Sequence, residues 1–274
     1  MTNEAQRKKF TVPQLSQVKN TPHRLSMVTA YDATFASIID AGGVDLILVG
    51  DSVATVMQGQ RNTLGVSMEH MEYHIQMVAS AKPYALIVGD MPFGSYQTSA
   101  QEAVHNSVRL VKAGAEIVKL EGGVHVVDQI TAITSADIPV MGHIGLTPQS
   151  YHRMGGNKIQ GRSAGDAAGS KNRLMEDALA VQEAGAHAVV IEGVPSDLAL
   201  SITQKLSIPT VGIGAGPGCD GQVLVMHDLL GLSPRTFTFA KPYVHLREQA
   251  TAAVAQYVNE VQSGTWPDAD HSFS

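Results

Sequence analysis

Cysteine occurs once in the 274 residues, at Cys219, so the chain can close no intrachain disulfide and build no cysteine-rich metal cage. Lys and Arg form no dense cluster and the net charge is −6, which removes the electrostatic footprint of a nucleic-acid binder. The opening stretch MTNEAQRKKFTVPQL has no apolar core of the length a secretory signal needs, and no later apolar run is long enough to cross a bilayer. The expectation is a cytoplasmic protein whose partners are small molecules, not nucleic acid or membrane. Disorder is excluded as well, with 44% hydrophobic and 16% charged residues.

What the chain does have is a repeating pattern. Short runs rich in Val, Ile and Leu recur, each closed by a small or polar residue and followed by a longer segment with helical spacing. They are SMVTAYD from Ser26, DLILVGD from Asp45, YALIVGD from Tyr84, AEIVKLEGG from Ala115, IPVMGHIG from Ile138, HAVVIEG from His187, IPTVGIGAG from Ile208 and RTFTFAK from Arg235. Continuous apolar character marks strands buried on both faces of a parallel sheet. Helices are expected at 67–81, 98–113, 172–184 and 245–261, with Gly43, Gly114 and Gly185 near C-terminal ends. Eight such units in a chain of this length predict a single-domain (β/α)8 TIM barrel over residues 1–274, with a doubly wound open sheet as the alternative. Thr11 and Pro13 predict a short N-terminal helix capping the bottom. Residues 145–171 read as one long loop, a candidate lid.

In such a barrel the residues closing the strands converge on one rim. Here they are Asp51, Asp90, Lys119, Glu121, His143 and Glu192. Four carboxylates beside one lysine and one histidine repel one another in a dry pocket unless a cation sits among them. Oxygen ligands suit Mg2+ or Mn2+, and Mg2+ accepts one or two carboxylates and keeps the remaining positions for water and substrate. Asp51 and Asp90 are therefore the expected direct ligands, and Glu121 acts through water. The plainer alternatives are helix N-caps for Asp51 and Asp90, a snorkelling surface role for Lys119 and a core histidine at His143. Glu192 follows an apolar run with no cation beside it in sequence, which favours a buried base. HMEYH at 70–74 lacks the glutamate of a zinc-peptidase motif and reads as a helix face, while GIGAGPG from Gly212 lacks dinucleotide-binding spacing. Met68, Met71 and Met77 read as core filling.

Taken in order, VTAYDATFA, VGDS, MEYH, DMPFGSY, VKLEGG, PVMGHIGLTPQ, IEGVP, IPTVGIGAG, CDGQVLV, HDLLG and WPDADHSF resemble the 3-methyl-2-oxobutanoate hydroxymethyltransferase family over almost the whole chain. The resemblance implies a Mg2+-dependent barrel that transfers a hydroxymethyl group from 5,10-methylenetetrahydrofolate to 3-methyl-2-oxobutanoate, forming 2-dehydropantoate. It implies Asp51, Asp90 and Glu121 at the metal, and Ser52, Asp90 and Lys119 on the keto acid; Asp51 and His143, on the same rim, are expected among the substrate contacts too. It further implies Glu192 as proton acceptor and a homo-oligomer, often a decamer. Val53 and Ala54 depart from the Leu-Gly that commonly follows VGDS in the family. The rival readings are another Mg2+ 2-oxo-acid lyase or mutase barrel and a keto-acid-binding barrel without turnover.

Overall fold

The computed structural model describes residues 7–19 and 21–273. The chain divides into two units, Met1–Val225 and Met226–Ser274. In the first, α1 (Val12–Gln17) precedes eight parallel strands that close a barrel in chain order. These are β1 (Leu25–Thr29), β2 (Leu46–Val49), β3 (Leu86–Asp90), β4 (Ile117–Glu121), β5 (Val140–Gly145), β6 (Ala188–Glu192), β7 (Thr210–Ile213) and β8 (Gly221–Leu224), and β8 pairs back onto β1. The helices between them are α2 (Ala33–Ala41), α3 (Val53–Val56), α4 (Met68–Ser80), α5 (Ala100–Ala113), α6 (Val127–Ser135), α7 (Tyr151–Met154), α8 (Lys171–Glu183) and α9 (Ser196–Lys205).

Local chemistry starts and stops these helices where the sequence predicts. The Ser67, Ser99 and Ser170 hydroxyls accept the N–H of the residue three positions on, capping α4, α5 and α8. Past the C-terminal ends of α2, α5 and α8, Gly43, Gly114 and Gly185 take φ of 89°, 120° and 99°, a conformation costly for residues with a Cβ. Gly89 and Gly142 serve packing instead. A Cβ on Gly89 would lie 2.8 Å from Ala115 Cβ and 2.9 Å from Ile75 Cδ1, and one on Gly142 would lie 2.4 Å from Val181 Cγ1. Bare backbone at these two points lets α4 and α8 close against the sheet.

The expected eighth strand at Arg235 is not one. Residues 235–239 form bends and turns, and the barrel is closed by GQVL at 221–224. That strand is four residues long, starts with glycine and leaves Gln222 exposed, so it lacks an apolar run to announce it. Gly221 is required there, because a Cβ would meet Leu25 Cβ at 2.5 Å and the Leu25 carbonyl oxygen at 2.6 Å.

Alternation along each strand sends every second residue inward. Leu25, Met27, Leu46, Leu48, Leu86, Val88, Ile117, Met141, Ala188, Val190, Val211 and Val223 form one packed cluster, joined by Leu15 of α1 and by Val18. Each large side chain so buried is worth about 1.5–3 kcal/mol over an exposed one. The expected N-terminal helix forms with Thr11 and Gln14 in a capping box, and it plugs the cluster at the end where the strands begin. The same alternation carried past the cluster puts Asp90, Lys119, Glu121, His143 and Glu192 on the interior face above it.

The stretch expected as one loop over 145–171 is shorter: Gly145 ends β5, Pro148–Ser150 makes a single turn, the short α7 follows, and residues 155–170 run without helix or strand until α8. No helix among the described residues is long and apolar enough to cross a membrane. The second unit holds α10 (Met226–Leu229), α11 (Leu246–Ser263) and a turn at Ala269–His271. The Tyr243 and Leu246 N–H groups donate to Leu229 and Leu230 at 2.8 and 3.0 Å, tying the start of α11 to the end of α10. Trp266 stands edge-on to Tyr257 at a centroid distance of 6.5 Å and against His271 at 4.6 Å.

Candidate active site

Strand register brings the charged residues together in pairs. Asp90 lies opposite Lys119, Glu121 opposite His143, and Gly145 opposite Glu192. Lys119 Nζ is 2.7 Å from Asp90 Oδ1, His143 Nδ1 is 3.4 Å from Glu121 Oε1, and His143 Nε2 is 3.3 Å from Glu192 Oε2. The plainer roles of Asp51, Asp90 and Lys119 do not hold here. Ser52 and Ser99 occupy the N-cap positions of the helices that follow β2 and β3, so neither Asp51 nor Asp90 is a cap. Lys119 is 3% exposed and does not snorkel.

Asp51 arrives differently from Asp90. Val49 pairs with Gly89, a register that sets Gly50, not Asp51, beside Asp90. Asp51 therefore lies beyond β2, and its backbone N–H donates to Asp90 Oδ2 at 3.1 Å. The two Val-Gly-Asp phrases are alike in letters and unlike in geometry. Ser52 is half-buried, with its Oγ 2.8 Å from the Tyr31 hydroxyl. The Tyr31 carbonyl in turn lies 2.7 Å from His74 Nδ1, which gives HMEYH its structural task. Met68 and Met71 are buried in the core and Met77 is half-buried. Val53 and Ala54 are fully buried in α3.

Burial first, then the charges of Asp90 and Glu121, holds the Asp51 carboxyl well above the usual carboxylate range. Burial also raises Asp90, with Lys119 opposing it. Burial would raise Glu121 too, but His143, Lys119 and the Gln149 N–H outweigh it and hold that carboxyl below its ordinary value. At Lys119 burial is overcome by Asp90, Glu121 and Asp51, so the ammonium persists above the usual lysine range. At His143 burial and Lys119 oppose protonation, yet Glu121 and Glu192 push the pKa up to about 9.

These directions give a sign for stability. A raised His143 pKa stabilises the fold fully below about 6.5, its unfolded value, and that contribution is lost as pH rises through about 9. Raised Asp51 and Asp90 act in the same sense, their contribution being present at acid pH and lost as they ionise. In metal-free protein Tm is expected to fall between pH 6.5 and 9, and His143→Gln to flatten that segment. Calorimetric scans across that window check it, and a flat wild-type profile would contradict the assignment.

The donor set suits a small hard cation. Asp90 Oδ1 and Glu121 Oε1 are buried outside hydrogen-bond geometry, and Asp90 and Glu121 lie close enough to Asp51 for their charges to oppose its ionisation. Among the described residues no group of three or more His, Cys, Asp and Glu side chains is arranged to hold a metal by itself. A cation would therefore draw on two carboxylates at most and complete its shell with water and substrate, the habit of Mg2+.

Glu192 departs from the expected buried base in an apolar setting. Its side chain is 23% exposed and faces His143, a neighbour that the sequence order hides. Two neutral residues of the site also escaped a reading based on charge. The Tyr96 hydroxyl donates to Gln149 Oε1 at 2.7 Å and accepts the Glu121 N–H at 3.1 Å. Gln149 Nε2 donates to Asp51 Oδ2 at 3.1 Å. Both lie within phrases that stand out in the sequence, DMPFGSY and GHIGLTPQ, but neither carries charge. Beside the site Gly122, Gly145 and Thr147 line a cavity of about 220 Å3 that runs beneath the long loop to Gln160 and Arg173.

Three comparisons bear on this arrangement. The profile of a family described as Ketopantoate hydroxymethyltransferase matches residues 9–269. The chain is 55% identical over 273 residues to the 3-methyl-2-oxobutanoate hydroxymethyltransferase of Pelobacter propionicus, covering 98% of both chains. It is 54% identical to the protein of that name from Trichlorobacter lovleyi, covering 98% of this chain and all of the other. Among solved structures, a phosphoenolpyruvate phosphomutase from Streptomyces platensis subsp. rosaceus superposes with a TM-score of 0.64 at 17% identity, over 96% of this chain and 92% of that one.

Proposed function

The chain belongs to the ketopantoate hydroxymethyltransferase family of transferases, and from that premise we propose the reaction its barrel mouth performs. A hydroxymethyl group passes from 5,10-methylenetetrahydrofolate to 3-methyl-2-oxobutanoate, with water consumed and 2-dehydropantoate formed. Asp51 and Asp90 would hold Mg2+, with Glu121 beside them in its surroundings. When bound, the ion supplies Lewis acidity at the keto oxygen of the substrate, which acidifies the neighbouring C3–H.

The protein's own groups do the rest. The Lys119 ammonium, kept charged by the carboxylates around it, and the Ser52 hydroxyl, set by Tyr31, orient the substrate carboxylate and keto oxygen. Glu192 takes the C3 proton. His143, held between Glu121 and Glu192, fixes that base on one side and borders the keto acid on the other. Burial of Asp51, Asp90, Lys119, Glu121 and His143 excludes water from the reacting carbon until the donor's methylene group has been attacked. The cavity beneath the long loop offers room for the reactive end of that donor. A cytoplasmic homo-oligomer completes the reading.

The observation that carries it is one partly exposed carboxylate, Glu192, standing beside five buried ionisable groups at the ends of neighbouring strands. NMR-detected deuterium exchange at C3 of 3-methyl-2-oxobutanoate in D2O, with and without Mg2+, tests it. Metal-dependent exchange is expected. Absence of exchange both without and with tetrahydrofolate would rule the substrate out.

A further inference from the structure

Gln149 is 6% exposed, and its side-chain amide has every hydrogen-bonding position in use. The two amide hydrogens go to Asp51 Oδ2 at 3.1 Å and to the Met91 carbonyl at 2.9 Å. The amide oxygen accepts from the Tyr96 hydroxyl at 2.7 Å and from Gln97 Nε2 at 3.1 Å. Flipping the amide would turn its oxygen toward a carboxylate and its hydrogens toward two donors, so this orientation is the one the surroundings permit. The Gln149 backbone N–H donates to Glu121 Oε2 at 2.9 Å.

One residue thus takes one oxygen of Asp51, which follows β2, and one oxygen of Glu121, which ends β4, and ties both to the segment after β3. It does this from the first turn of the long loop, Pro148–Ser150. Tyr96 braces the arrangement, since its hydroxyl also lies 3.0 Å from the Glu121 carbonyl oxygen.

We propose that Gln149 is a positioning residue that aligns Asp51 and Glu121 for the cation and couples occupancy of those carboxylates to the order of loop residues 151–170. This rests on the Mg2+ site proposed above. Any ion that shifts Asp51 or Glu121 must shift the amide and backbone that hold them, and the root of the loop moves with Gln149. By reciprocity, anything that disorders that root weakens the ion.

The test measures Mg2+ affinity by calorimetry, together with hydrogen exchange of residues 151–170 with and without Mg2+. The proteins compared are the wild type, Gln149→Met, Tyr96→Phe and Asp90→Asn. Methionine keeps the volume and removes the amide hydrogen bonds. Gln149→Met is expected to bind Mg2+ about 10–100-fold more weakly, the usual effect of losing a partner that orients a ligand. It should also lose the Mg2+-dependent protection of 151–170 that the wild type displays. Tyr96→Phe should shift both readouts in the same direction by less, and it decides the matter if Gln149→Met does not fold. Wild-type affinity and wild-type protection in Gln149→Met would overturn the proposal, provided Asp90→Asn has lost Mg2+. If Asp90→Asn binds Mg2+ normally, the metal site itself is wrongly placed and the proposal falls with it. A wild-type loop whose protection ignores Mg2+ would overturn the coupling.

Discussion

Glu192→Gln is expected to bind Mg2+ and 3-methyl-2-oxobutanoate like the wild type and to lose C3 deuterium exchange by about 10²–10⁴-fold, the range a positioned general base supplies. Geometry separates Glu192 from the other acids. Its side chain is 23% exposed where those of His143, Glu121 and Asp90 are 4%, 2% and 1% exposed, so only Glu192 can hand a proton on to solvent without rearrangement. It also ends β6, two strands from the nearer of the proposed metal strands' carboxylates, Glu121 on β4. Glutamine keeps its shape and its approach to His143 but cannot take the proton. Calorimetry for the two ligands and NMR for the exchange separate the effects. Exchange at the wild-type rate in Glu192→Gln would remove Glu192 from the role.

Lys119→Met is expected to destabilise the metal-free protein by about 3–5 kcal/mol near neutral pH, a large part of the 5–15 kcal/mol that holds a typical domain. The ammonium is buried 2.7 Å from Asp90 and is kept charged by Asp90, Glu121 and Asp51. Without it Asp51 and Asp90 either ionise unpaired or take up protons, so the loss should shrink as pH falls, in keeping with their raised values. Adding Asp90→Asn should restore part of the stability, because the double variant buries one charge fewer. Urea unfolding of wild type, Lys119→Met, Asp90→Asn and the double variant closes the cycle. Equal stability of Lys119→Met and wild type at pH 7 would show that the pair is not buried in solution.

Seven of the eight strands were legible because strands covered on both faces must be apolar throughout. The eighth was hidden by the same rule. GQVL needs glycine to approach β1 and keeps Gln222 exposed, whereas the alternating Thr and Phe of RTFTFAK imitate a strand in residues that form bends. The charged rim could be read because a carboxylate or lysine inside an apolar run is conspicuous. Gln149 and Tyr96 escaped because their importance is relational, arising from partners 98 and 53 positions apart along the chain. Asp51 closes the same Val-Gly-Asp phrase as Asp90, a likeness that the barrel does not reproduce, since β2 ends one residue earlier in register than β3.

The plug at the bottom of the barrel carries a consequence for how the chain is made. Leu15 and Val18 belong to the same packed cluster as Val211 and Val223, and Lys19 Nζ reaches Asp220 Oδ2 at 2.8 Å. Helix α1 therefore has no finished surface to dock on until roughly 200 further residues have been translated, so closing the bottom is a late event in biosynthesis.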